Sequence, residues 1–127
     1  MKVIYIAGPF RAPNAWLIAE NVRAAERWAY EVARLGHMPM CPHLNTAHFH
    51  GALPDGFFLE GSAELLRRCD GAVFIPGWPR SMGCQDEKRI CTARNIPVCD
   101  LDGHFADGPE SILCRWLERY TKWGVER

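Results

Sequence analysis

Hydrophobic and polar positions along the chain fall into two alternating kinds of stretch. Short, largely apolar stretches cover residues 2–7, 38–41, 72–75 and 96–101. The run at 72–75 is continuously apolar, β-branched or aromatic at three positions. That pattern suits strands buried on both faces, as in a parallel sheet. Between them lie longer stretches with helical spacing. In residues 14–35 the apolar positions are Trp16, Ala19, Val22, Ala25, Ala29, Val32 and Ala33. Asn14 is placed to cap this helix and Gly36 to end it. Further helices are predicted over residues 57–68, 81–95 and 110–123, the last carrying Ile112, Leu113, Trp116, Leu117 and Tyr120 on its apolar side.

Strand–helix alternation of this kind implies right-handed crossovers and a parallel sheet covered by helices on both faces. The expected fold class is α/β, a three-layer Rossmann-like or flavodoxin-like parallel sheet of four or five strands. No repeat, low-complexity tract or internal boundary divides residues 1–127, so one domain is expected. In such folds ligands bind above the carboxyl ends of the first and third strands, where the strand order reverses. Three segments meet there. One is the loop Gly8, Pro9, Phe10 and Arg11. The second is the connection over residues 42–56, with His43 and Asn45. The third is the turn and helix start with Gly77, Trp78, Ser81 and Gly83. A fifteen-residue connection in a small domain is usually functional or disordered, and the aromatic and histidine content of this one favours function.

The third segment carries the oddest residue. Glu87 lies three and four positions before Ile90 and Cys91, so it shares their apolar face. A carboxylate on an inward stripe is costly unless something uses or satisfies it. Helical side chains lean toward the N-terminus, which carries Glu87 over Gly83, where no side chain blocks it. The alternative is an acid interacting with the helix dipole.

Composition narrows the partners. The chain has 15 basic and 15 acidic residues and a formal net charge of zero. That argues against a nucleic-acid polymer or a membrane surface, though not against a small nucleotide. No segment approaches a membrane span, and the first ten residues are too soon broken by Gly8-Pro9 to act as a leader. Six cysteines sit in apolar or helical segments without a C-x-x-C pair, which points to a reducing, cytoplasmic setting. Cys41, His43, His48 and His50 have no standard zinc spacing, so no metal is expected. The first loop is neither a dinucleotide fingerprint nor a Walker loop, and no cofactor is expected. It is either a one-phosphate cradle with Arg11 as clamp, or a plain surface turn. Ser81 lacks the nucleophile-elbow context. Cys84, near a helix N-terminus, is a weaker nucleophile candidate than Glu87 because no partner histidine is marked. Trp116, Tyr120 and Trp123 give the last helix an aromatic side, from which a homo-oligomer, most simply a two-fold dimer, is expected.

Several motifs together resemble one family. They are Y-I-A-G-P at the start, L-G-H closing the first helix, C-P-H-L-N, L-L-R-R-C-D, and P-G-W-x-x-S-x-G-x-x-x-E. Over about residues 2–101 the chain resembles the nucleoside 2-deoxyribosyltransferase superfamily, which includes nucleoside 5′-monophosphate N-glycosidases. The resemblance implies that Glu87 is the nucleophile and that Tyr5 positions its carboxylate. It implies that Ser81 and Gly83 contact sugar or 5′-phosphate, and that the loop from Gly8 to Arg11 lies beside base and sugar. The implied partner is a small nucleoside or nucleotide. One position departs: where the family has an aspartate that protonates the leaving base, this chain has Ser62. Glu60 and Asp55 are the nearby carboxyls able to replace it. The expected activity is therefore cleavage or transfer at an N-glycosidic bond, the alternative a non-catalytic nucleotide-binding module.

Overall fold

The structure, a computed structural model, describes residues 1–125, with side chains described as far as Arg119. Strand β1 (Val3–Ala7) leads into helix α1 (Ala15–Arg34), then strand β2 (Met38–Met40). A single helical turn, α2 (Pro42–Asn45), follows, and then α3 (Asp55–Arg67), β3 (Gly71–Phe74), α4 (Met82–Arg94), β4 (Val98–Asp100) and α5 (Pro109–Val125). A 3-10 turn, Trp78–Arg80, joins β3 to α4. The strands lie side by side in the order β2-β1-β3-β4, every pair parallel. This is the doubly wound order with its reversal between β1 and β3. The α/β three-layer arrangement expected from the alternation is the one observed, with four strands.

The apolar runs of β1 and β3 divide between two cores because successive side chains on a strand face opposite ways. On one face Ile4, Ile6, Val73 and Ile75 pack with Ala25, Trp28 and Val32 of α1 and Leu113 and Leu117 of α5. On the other, Tyr5, Ala7, Ala72 and Phe74 meet Leu66 of α3 and Cys84 and Cys91 of α4. Tyr5, sitting between two isoleucines in sequence, is thereby sent to the α3–α4 side. The registers Tyr5 with Ala72 and Ala7 with Phe74 align the carboxyl ends of β1 and β3.

The helix ends follow local chemistry. Asn14 accepts the Leu17 N–H at 2.9 Å and starts α1. Asn95 ends α4 in the left-handed region at φ 57°. Strands β1, β2 and β4 are shorter than the runs that predicted them, and β3 begins and ends one residue earlier than its run. The long connection is not wholly irregular: Pro42 at the first helical position nucleates α2. Helix α3 starts at Asp55, two residues earlier than the apolar pattern implied.

Of the three aromatics expected to form a side of the last helix, Trp116 is the one with a described side chain. Trp116 packs against the α1–α5 core, and its Cη2 lies 3.0 Å from where a side chain on Gly71 would begin. Tyr120 and Trp123 lie outside the described side chains. No described helix is long and apolar enough to cross a membrane. All six cysteines are free thiols. Among the described residues no three His, Cys, Asp or Glu side chains gather as a metal site.

Candidate active site at the carboxyl ends of β1 and β3

Helix α4 is started by Ser81, whose Oγ accepts the Cys84 N–H at 3.3 Å. Its second turn carries Glu87 on the inward side, facing β1. A Cβ on Gly83 would meet nothing nearer than the Ser81 Oγ at 3.8 Å. Across the layer, Tyr5 projects from β1, 1% exposed. Its hydroxyl donates a hydrogen bond to Glu87 Oε2. These residues are 82 apart in sequence and meet because strand parity and helix face both point into the same layer.

The surroundings set the protonation of this pair. Burial pushes the Glu87 carboxyl up from 4.5 to about 7, with the nearby Asp86 charge adding to the rise and the Tyr5 hydrogen bond opposing it. The side chain as a whole keeps some exposed surface, so a small molecule can approach while the carboxyl is largely desolvated. Tyr5 is raised well above 10, first by burial and then by the Glu87 charge, so it is a permanent donor at neutral pH. The Ser62 side chain acts on the same tyrosine in the opposite sense, favouring its ionised form. Ser62 therefore stands beside the pair, on half-buried α3 surface. Cys84 is buried in the same layer and its thiol is pushed up to about 12, chiefly by burial, so it is a packing residue and not a thiolate nucleophile.

The first loop closes one side. Gly8 is buried against Ile75. A Cβ there would come within 2.5 Å of the Ile75 Cδ1 and 2.7 Å of its Cγ1, so any side chain would force Ile75 to shift. His43 supports the loop from α2, its Nε2 lying 3.0 Å from the Pro9 carbonyl. Burial lowers the His43 pKa, so the neutral ring donates through Nε2–H. Asn21 donates to the Phe10 carbonyl at 3.0 Å. The Phe10 ring meets His43 edge-on at 5.3 Å and His50 at 6.0 Å. Arg11 reaches outward to Asp55 at 3.0 Å, an exposed pair that joins this loop to the start of α3.

Most residues read from sequence as site residues therefore converge: Tyr5, Glu87, Ser62, Ser81 and Gly83 in one layer, with Gly8, Pro9, Phe10 and His43 beside it. Others have different employment. Asp55 is bound to Arg11, and Glu60 and Asn45 are exposed. Trp78 packs its ring on Phe74 at 5.1 Å, and its indole N–H is taken by Asp100 at 2.8 Å. Asp100 and Asp102 were missed by sequence reasoning. Asp102 accepts the Gly77 N–H at 2.8 Å, so both acids grip the β3–α4 loop. The signal was present: two aspartates flanking Leu101 at the carboxyl end of a strand, the end that bears ligand sites in this fold.

The architecture is shared with a solved enzyme. A 2-deoxyribosyltransferase from the psychrotolerant bacterium Bacillus psychrosaccharolyticus, described as a biocatalyst for nucleoside synthesis, matches with a TM-score of 0.60 at 20% identity. The match covers 81% of this chain and 75% of that one, and it shows a common fold. No curated protein matches the chain. Residues 2–101, from the start of β1 to just past β4, match the family described as a domain of unknown function, DUF7768, and the chain belongs to that family.

Proposed function

We propose that this protein cleaves or transfers the N-glycosidic bond of a deoxynucleoside or its 5′-monophosphate, with Glu87 as nucleophile. The observation that carries the reading is the buried Glu87 carboxyl held by the Tyr5 hydroxyl at the sheet's switch point. A desolvated carboxylate with a fixed donor on one oxygen keeps its other oxygen free to attack. Attack at C1′ forms a glycosyl ester while the C1′–N bond breaks and its electron pair leaves with the base, through an oxocarbenium-like transition state. The base takes up a proton, and water or a second base then resolves the ester and returns Glu87 as carboxylate. The step requires no metal or cofactor. The likeness to a 2-deoxyribosyltransferase fold and the run of shared motifs support the reading.

The loop from Gly8 to Arg11 and the Ser81–Gly83 start of α4 are the proposed walls of the substrate site. A nucleoside or nucleotide is the proposed partner. A cytoplasmic location and self-association are proposed with it; light scattering at micromolar concentration tests the latter.

One observation favours a second reading, a nucleotide-binding module without turnover. Ser62 occupies the place beside Tyr5 where an acid would be wanted, and a serine cannot serve as a carboxylic acid does. Asp55 is engaged by Arg11 and Glu60 is exposed. The two readings separate in one experiment. Base release from deoxynucleosides and their 5′-monophosphates is followed by chromatography for wild type and Glu87→Gln, with thermal shift for binding on the same samples. Wild-type release that the variant loses by several orders of magnitude supports catalysis. Ligand-induced stabilisation with no release in either protein supports the binding module and defeats the enzyme.

A further inference from the structure

We propose that Asp102, seated with Asp100 at the carboxyl end of β4, is a positioning residue for Glu87: the two acids form a clamp that fixes the β3–α4 loop from the neighbouring strand. The inference rests on the glycosidic reading above and adds to it a device outside the substrate walls.

The clamp consists of three hydrogen bonds. Asp102 Oδ1 accepts the Gly77 N–H at 2.8 Å. Asp100 Oδ1 accepts the Trp78 indole N–H at 2.8 Å and also the Asp102 backbone N–H at 2.9 Å. One oxygen of Asp100 thus holds the loop and aligns the second acid. Bonds with an ionised acceptor are the stronger kind. The loop needs such anchoring because Gly77 reverses the chain at φ +91°, a left-handed conformation that exposes its N–H to the β4 side.

From the clamp, hydrogen bonds continue to the helix. Arg80 N–H reaches the Gly77 carbonyl at 3.3 Å, and Ser81 N–H the Trp78 carbonyl at 3.0 Å. Gln85 in the first turn of α4 donates its side-chain amide to the Pro79 carbonyl at 2.6 Å. Ser81 caps Cys84. Glu87 follows in the next turn, so the height and rotation of its carboxyl are inherited from the loop. Gly77 is also where this loop nears the first one: the Pro9 Cγ lies 4.0 Å from where a Gly77 Cβ would sit. The clamp therefore sets both the Glu87 geometry and the gap between the two loops over the switch point. Displacements of about 1 Å in such an arrangement are enough to lower rate severely.

Asp102→Ala and Asp102→Asn test this. The asparagine keeps an Oδ1 acceptor and the alanine does not. Three quantities are read: hydrogen exchange of the Gly77 amide, the Glu87 titration midpoint by carbon NMR, and kcat and KM for base release. In Asp102→Ala the Gly77 amide should exchange roughly 10-fold faster or more, as expected for loss of a charge-assisted bond. The Glu87 midpoint should fall by about 0.5 pH unit or more as the carboxyl gains water. The kcat should fall roughly 10-fold while KM changes less than about 3-fold. Asp102→Asn should recover most of each. Trp78→Phe, which keeps the ring on Phe74 but removes the donor to Asp100, should move all three in the same direction. Unchanged Gly77 exchange and an unchanged Glu87 midpoint in Asp102→Ala overturn the clamp, whatever happens to thermal stability. If wild type releases no base, the glycosidic reading fails, and exchange and midpoint still decide the clamp.

Discussion

Replacing Tyr5 by phenylalanine removes one hydroxyl from the centre of the proposed site and little else, because the ring stays packed in the α3–α4 layer. The hydroxyl donates to Glu87, and that bond holds the carboxyl lower than burial alone would put it. A hydrogen bond to a charged group contributes about 1.5–3 kcal/mol, and one pH unit corresponds to about 1.36 kcal/mol. Its loss should raise the Glu87 pKa by roughly 1–2 units above its present value near 7. At pH 7 the ionised fraction then drops from about one half to between about one tenth and one hundredth, a fall of roughly 5- to 50-fold. If the ionised form is the nucleophile, base release at pH 7 falls by that factor and recovers as pH rises toward 9. Wild type itself should gain rate through about pH 7. Tyr5 keeps its proton across this range, so it adds no limb of its own. The assay is a pH–rate profile of base release for both proteins, with a carbon NMR titration of Glu87 beside it. A Tyr5→Phe rate loss that is the same at every pH, or an unmoved Glu87 midpoint, refutes the reasoning.

Three further outcomes follow from the same geometry. Glu87 has a folded pKa above its ordinary 4.5, so the folded state holds this proton more tightly; its stability contribution is full below about 4.5 and is lost as pH rises to about 7. Glu87→Gln should therefore match wild type in urea unfolding at pH 4 and exceed it at pH 8 by on the order of 1–3 kcal/mol, the partial exposure trimming the upper value; equal stability at pH 8 contradicts the burial argument. Ser62→Asp places a carboxyl beside Tyr5 and should speed release of ordinary bases about 10- to 100-fold, with a smaller effect on activated leaving groups; if Glu60→Gln or Asp55→Asn is the damaging change instead, the proton comes from there. Gly8→Ala places a methyl within 2.7 Å of two Ile75 atoms in a closed core and should cost about 1–3 kcal/mol by denaturant titration; an unchanged midpoint shows that Ile75 can move aside.

Sequence by itself determined the strands, the long helices and the parallel sheet, because those depend on local periodicity and caps. Asn14 and Ser81 sit where caps belong, and Asn95 ends α4 in the conformation its side chain tolerates. It also singled out Glu87, since a carboxylate on an apolar helical face is anomalous before any partner is known. Resemblance to a family named Tyr5 as its partner, and tertiary structure supplied the physical reason: the parity of β1 turns Tyr5, not Ile4 or Ile6, toward α4. It also decided which polar residues were already engaged. Trp78 and His43 look equally available in sequence, yet one is tied to Asp100 and the other to Pro9. Trp116, read as apolar from its spacing, is partly buried against the core. The clamp from β4 lies 25 residues from the loop it holds. Such pairings depend on which strands become neighbours, and the order β2-β1-β3-β4 arises from packing two helical layers on a twisted sheet, a balance that no single stretch of chain contains.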